Sequence, residues 1–145
     1  MIRVFLDANV YFAGFVSKTG ASFFVLKLAR RKKLAVVASK VVLREADRNL
    51  RLKSDTKTVK AFRRYLQEVK IQVVSTPSEK VLQSCEDYIH PKDVPVLAAA
   101  AQAKVDFLIT LDRKHFLTAK AQSYSPKLKI MTSGDFIREN IHRLR

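Results

Sequence analysis

The sequence predicts an α/β protein: a parallel sheet with helices on both faces. Three observations point there. Apolar runs of strand length recur at 2–6, 34–37, 71–74, 106–109 and 128–131. Helical patterns fill the stretches between them, and strands alternating with helices of this length imply parallel pairing. Two acids, Asp7 and Asp112, stand just past the ends of two of those runs. Open α/β sheets bind their ligands at the carboxyl ends of the strands.

Taken in order, the runs are short and rich in Val, Ile, Leu or Phe, as strands covered on both faces should be. Ile2-Arg3-Val4-Phe5-Leu6 leads straight into Asp7. Segment 21–32 puts Phe24, Val25 and Leu28 on one face. It ends in Arg30-Arg31-Lys32-Lys33, cations that suit a helix C-terminus. Ser39 caps a helix over 40–53, with Val42, Leu43, Ala46 and Leu50 on one stripe. A helix over about 55–69 starts near Ser54 or Asp55 and buries Val59, Phe62, Leu66 and Val69. Ser78 opens another, to about 89. Asp93 and Pro95 open an Ala-rich helix to 104, with proline in the first turn where it is tolerated. A last helix follows Ser133. Only three glycines occur, and no repeat or linker interrupts the pattern.

A chain of 145 residues suits a single domain, 1–145, large enough to bury a core without staples. One cysteine, Cys85, cannot form an internal disulfide, which fits a reducing compartment. The N-terminus is charged too soon for a signal peptide, and no apolar run reaches the ~18 residues of a membrane helix. A soluble, cytoplasmic protein with no membrane partner is expected. Net charge is +15, from 28 Lys and Arg against 13 Asp and Glu. Residues 27–70 hold 15 of the basic residues and only four acids. Such a field attracts phosphate backbones by counterion release.

Against that background each acid has a bland and a chemical reading. Asp7 reads as a helix cap, with Asn9 two residues on able to orient it. Asp112 reads as a turn acid, and Asp93 as an ordinary N-cap before Pro95. Glu45 is not placed to cap anything. It lies beside Val42 and Asn49 at the margin of the apolar stripe, where it is expected to point along the sheet–helix seam. Its bland reading is a surface ion pair with Arg44 or Arg48. Other chemistries lack their motifs. There is no phosphate-cradling glycine pattern, no C-x-x-C and no nucleophile elbow. His90, His115 and His142 are scattered without metal-ligand spacing and read as structural.

Together these residues resemble a PIN domain over nearly the whole chain. Leu6-Asp7-Ala8-Asn9-Val10 resembles the opening motif, and the 41–50 helix with Glu45 the second. Lys92 to Ala100 resembles the third, an Asp leading an Ala-rich helix. Leu108-Ile109-Thr110-Leu111-Asp112 resembles the fourth, and 129–136 the last strand and helix. The nearest likeness is to toxins of prokaryotic toxin–antitoxin pairs. The resemblance implies a three-layer α/β/α fold on a central, mostly parallel five-stranded sheet. It implies a metal-dependent endoribonuclease with Asp7, Glu45, Asp93 and Asp112 as catalytic and metal-holding acids. Asn9 and Thr110 would support them. One departure stands out: some relatives carry a further acid where this chain has Lys114, which bears on a second metal.

The chemistry fits those residue types. Mg²⁺ and Mn²⁺ prefer carboxylate and water oxygens, and four gathered acids repel until a cation relieves them. A bound divalent ion activates water for attack on phosphorus. Arg30, Arg31, Lys32, Arg44 and Arg48 are the candidate RNA-binding cations. RNA, an antitoxin protein and a second copy of the chain, as a homodimer, are the candidate partners. Two other readings compete: a non-catalytic PIN-fold module that grips RNA or protein, and a structure-specific DNA nuclease.

Overall fold

The computed structural model describes residues 1–145. Five strands form one sheet: β1 (Arg3–Leu6), β2 (Ala35–Ser39), β3 (Gln72–Val74), β4 (Phe107–Ile109) and β5 (Lys129–Met131). Their order is β3-β2-β1-β4-β5, and every neighbouring pair is parallel. The sheet is thus all-parallel, stricter than the mostly parallel expectation. β1 and β4 are fully buried apart from Arg3, as their unbroken apolar runs demand. β3 departs from the expectation of strands covered on both faces. It is one of the two outer strands, and Gln72 and Val73 are exposed.

The helices are α1 (Ala8–Val16), α2 (Ala21–Arg30), α3 (Lys40–Lys53), α4 (Thr56–Glu68), α5 (Glu79–Cys85), α6 (Val94–Gln102), α7 (Ala119–Gln122) and α8 (Ser133–Asn140). Their starts follow local hydrogen-bond chemistry. Ser39 accepts from Val42 N, Asp55 from Thr58 N and Ser78 from Val81 N, so each satisfies an otherwise orphaned amide. α5 stops at Cys85 rather than near 89, because the chain tightens there. Glu86 N and Tyr88 N bond three residues back, to Gln83 and Cys85. The core is one contiguous cluster in which both faces of the sheet meet helices.

Strand order positions the site. From β1 the chain passes to β2 on one side, and later returns to lay β4 on the other. The connection leaving β1 leads toward β2 and the one leaving β4 toward β5, so the carboxyl ends of these two neighbours form the topological switch point of the sheet. Asp7 N still donates to Ile109 O at 3.0 Å, and Thr110 N to Met131 O at 3.1 Å. The backbone is therefore held in register up to the residues of interest.

Candidate metal centre

Asp7 sits where β1 becomes α1 and is 8% exposed. Its Oδ1 accepts from Ala8 N at 2.8 Å, so it does cap α1. Its Oδ2 accepts from the Thr110 hydroxyl at 2.8 Å and from Asn9 Nδ2 at 3.4 Å. Fully buried Thr110 also accepts from Asp112 N at 3.1 Å, and Asn9 Oδ1 accepts from Leu111 N at 3.0 Å. Asn9 and Thr110 thereby tie the carboxyl end of β1 to that of β4, and fix Asp7 against Asp112's turn.

Burial is the largest influence on the Asp7 carboxyl and pushes its pKa from 3.8 up to about 6. The hydrogen bonds from Thr110 and Ala8 pull it back, while the charges of Glu45 and Asp93 push it further up. Both are small influences beside burial, and neither Asp7 nor Glu45 joins the tight group that Asp93, Asp112 and His115 form. Glu45 differs from expectation in one respect. It is exposed, not tucked into a seam: its turn of α3 packs through Val42 and Ala46, both fully buried, and Glu45 lies on the outer face of the helix. It forms no ion pair with Arg44 or Arg48 either; the chain's salt bridges involve other residues.

Asp93 ends a short 3₁₀ turn, Pro91–Asp93, and precedes α6. Its backbone is helical (φ −100°, ψ −5°), and its side chain caps nothing. The capping of that turn falls to His90, whose Nδ1 accepts from Lys92 N at 3.1 Å. The Asp93 carboxylate is thus free to face Asp112 and His115. Asp112 Oδ1 accepts from His115 N at 3.0 Å. His115 Nδ1 lies 3.0 Å from Asp93 Oδ2 and 3.3 Å from Asp112 Oδ2. Despite that proximity Asp93 Oδ2 is buried without a hydrogen-bond partner. Ligand atoms of Asp93, Asp112 and His115 all fall within 4.8 Å of one another.

A buried carboxylate oxygen lacking a donor costs free energy unless something cationic meets it. Hard oxygen donors from Asp93 and Asp112, with Asp7 and Glu45 adding charge, suit a divalent ion. His115 is the residue that sequence reasoning passes over. Its one local signal is the Asp-x-x-His spacing from Asp112; its approach to Asp93 is long-range.

The cations divide into two places. Arg44 and Arg48 are exposed on α3, the helix that leaves the carboxyl end of β2. Arg30, Arg31 and Lys32 lie at and just past the end of α2, which feeds the amino end of β2, so they stand toward the opposite ends of the strands from the acids. Arg30 is also committed: it pairs with Glu68 and lies 5.0 Å over the Tyr65 ring. Two large grooves, of about 790 and 870 Å³, are lined by none of the four acids.

The PIN domain family model matches residues 3–114, which include all four acids. The chain belongs to the PIN-domain family. Solved structures share the fold at low identity. VapBC2 from Rickettsia felis, bound to a DNA fragment from the promoter, is 15% identical, with a TM-score of 0.61 over 90% of this chain and 98% of that one. PAE2754 from Pyrobaculum aerophilum is 17% identical, with a TM-score of 0.62 over 97% and 90%. FitAcB from Neisseria gonorrhoeae is 14% identical, with a TM-score of 0.59 over 90% and 98%. No curated protein matches this PIN domain by sequence. None of its single helices is long and apolar enough to cross a membrane.

Proposed function

We propose that this PIN domain is a Mg²⁺- or Mn²⁺-dependent endoribonuclease, acting in the cytoplasm as the toxin of a toxin–antitoxin pair. The observation that carries the reading is Asp93 Oδ2, buried without a donor beside the carboxylate of Asp112. Asp93 and Asp112 hold the ion, and Asp7 and Glu45 complete the negative field around it. Asn9 and Thr110 hold Asp7 in place. The divalent ion, when bound, activates water and offsets charge developing at phosphorus. Arg44 and Arg48 draw the phosphate backbone toward the acids. Arg31 and Lys32, with Arg30 partly offset by Glu68, extend the attraction to the far ends of the strands, without base readout. An RNA strand is favoured over a small substrate because none of the acids lines the two large grooves and the chain carries a net charge of +15. The expected products carry a 5′-phosphate and a 3′-hydroxyl.

The test is cleavage of end-labelled single-stranded RNA with Mn²⁺, Mg²⁺ or chelator, by wild type, Asp93→Asn and Asp112→Asn. Metal-dependent cutting lost in both variants supports the reading. RNA binding with no cutting under any metal would instead identify a non-catalytic module. Cleavage of branched or flapped DNA in preference to RNA would identify a DNA nuclease. Growth arrest on expression, relieved by a neighbouring small reading frame, tests the toxin role.

A further inference from the structure

We infer that His115 is a nitrogen ligand of the ion held by Asp93 and Asp112, so that the centre is a mixed nitrogen–oxygen site preferring transition ions to Mg²⁺. The inference rests on the metal-dependent reading above and concerns this chain's own histidine.

Geometry carries it. Two ligand atoms bound at right angles through bonds of about 2.1 Å lie about 3.0 Å apart. His115 Nδ1 stands 3.0 Å from Asp93 Oδ2 and 3.3 Å from Asp112 Oδ2. Those spacings are what adjacent ligands of one ion show. A protonated ring would make the same spacings an ion pair, in which His115 competes with the metal. Here neither carboxylate receives a hydrogen bond from the ring, and Asp93 Oδ2 has no partner at all. Three atoms approach a common point without bonding to each other.

The surroundings hold the ring in that pose. His115 N donates to Asp112 Oδ1, which occupies one oxygen and leaves Oδ2 toward the ring. The His90 ring stacks on His115, with centroids 5.2 Å apart and planes 19° from parallel. His90 is itself anchored by Lys92 N at 3.1 Å. It acts as a positioning residue that sets the imidazole plane and leaves Nδ1 toward the acids.

The consequence is selectivity. Imidazole suits transition ions, whereas Mg²⁺ keeps to oxygen ligands and waters. The chain should therefore favour Mn²⁺, Co²⁺ or Zn²⁺ over Mg²⁺ by a margin that His115 sets.

The experiment is calorimetric titration of the metal-free full chain with Mn²⁺, Co²⁺ and Mg²⁺. It compares wild type, His115→Ala, His115→Gln and Asp93→Asn. His115→Ala and His115→Gln are expected to lose tenfold or more in Mn²⁺ and Co²⁺ affinity, and less than threefold for Mg²⁺. Independently of any variant, pulsed electron paramagnetic resonance of Mn²⁺-loaded wild type should show ¹⁴N modulation. Unchanged Mn²⁺ affinity in both His115 variants, or Mn²⁺ without ¹⁴N modulation, overturns the histidine as ligand and leaves the acidic centre standing. Tighter binding of every ion by the variants would also overturn it, making His115 a competitor for the site. Wild type and Asp93→Asn taking up Mn²⁺ equally weakly would defeat the metal reading itself, and the inference with it.

Discussion

Replacing Asp7 with asparagine should stabilise the metal-free protein while ending its metal-dependent activity. The Asp7 pKa rises from 3.8 to about 6 mainly because the carboxyl is buried. A carboxyl with a folded pKa above its unfolded one holds its proton better when folded. The stability this contributes is fully present below about 3.8 and is lost as pH rises through about 6. At about 1.4 kcal/mol per pH unit, the charged form at pH 8 costs the fold about 3 kcal/mol. The substituted asparagine cannot ionise, and its amide oxygen can still accept from Ala8 N. It gives up the charge-assisted part of the Thr110 bond, so the net gain should be about 1–2 kcal/mol. For a chain of this size that is a rise of about 3–8 °C in melting temperature. The assay is thermal unfolding in chelator at pH 8 and pH 4. The gain should appear at pH 8 and vanish at pH 4, where wild-type Asp7 is already protonated. Added Mn²⁺ should raise the melting temperature of wild type more than that of Asp7→Asn. A variant melting below wild type at pH 8, or gaining equally at pH 4, would refute the reasoning. The first result would make Asp7 a stabilising cap, and the second would show a gain unrelated to its charge.

Three further outcomes are expected. Thr110→Val removes a fully buried hydroxyl that serves both Asp7 Oδ2 and Asp112 N. Chemical denaturation should show a loss of about 1–3 kcal/mol, and the pH profile should show Asp7 titrating still higher. Gly14→Ala would set a Cβ 2.3 Å from Leu26 Cδ1 and 3.1 Å from Ser22 O. The leucine tip can turn but the carbonyl cannot, so denaturation should report a loss of about 1–3 kcal/mol. Arg44→Ala with Arg48→Ala should weaken RNA binding alike across sequences, and should flatten the log–log salt dependence by about 2, with melting temperature unchanged.

How much of this is legible in the sequence depends on how local the determining interaction is. The buried runs of β1 and β4 announce themselves, because a strand covered on both faces needs apolar residues throughout. The caps Ser39, Asp55 and Ser78 are equally plain, since each bonds an amide three residues on. β3 is legible as a strand but not as an edge. Val73 and Val74 suit a strand, but only the sheet order leaves Val73 exposed beside the polar Gln72. The four-residue α7 has too few positions for any periodicity to be read, so no helix is expected there from the sequence.

The site divides along the same line. Asp7 and Asp112 can be picked out because strand ends are where an open sheet meets its ligands. For Asp7 the cap and the site reading turn out to coexist: one oxygen serves Ala8 N, and the other faces Thr110. Asp93 is the harder case, because an acid before a proline-containing first turn looks like a cap whatever it does. What releases it lies three residues earlier. His90 takes the capping bond of the 3₁₀ turn, and that turn gives Asp93 a helical backbone, so its carboxylate has no amide of its own to serve. Its freedom comes from a neighbour's chemistry, not from its own position in the chain. His115 goes one step further. Metal-binding histidines are recognised by regular spacing on one helix face, and this one stands on an irregular turn. Its meeting with Asp93 joins residues on either side of β4. The two histidines that look scattered in the sequence are thus the pair that frees one acid and crowds two, a relation that exists only once the strand between them has taken its place in the sheet.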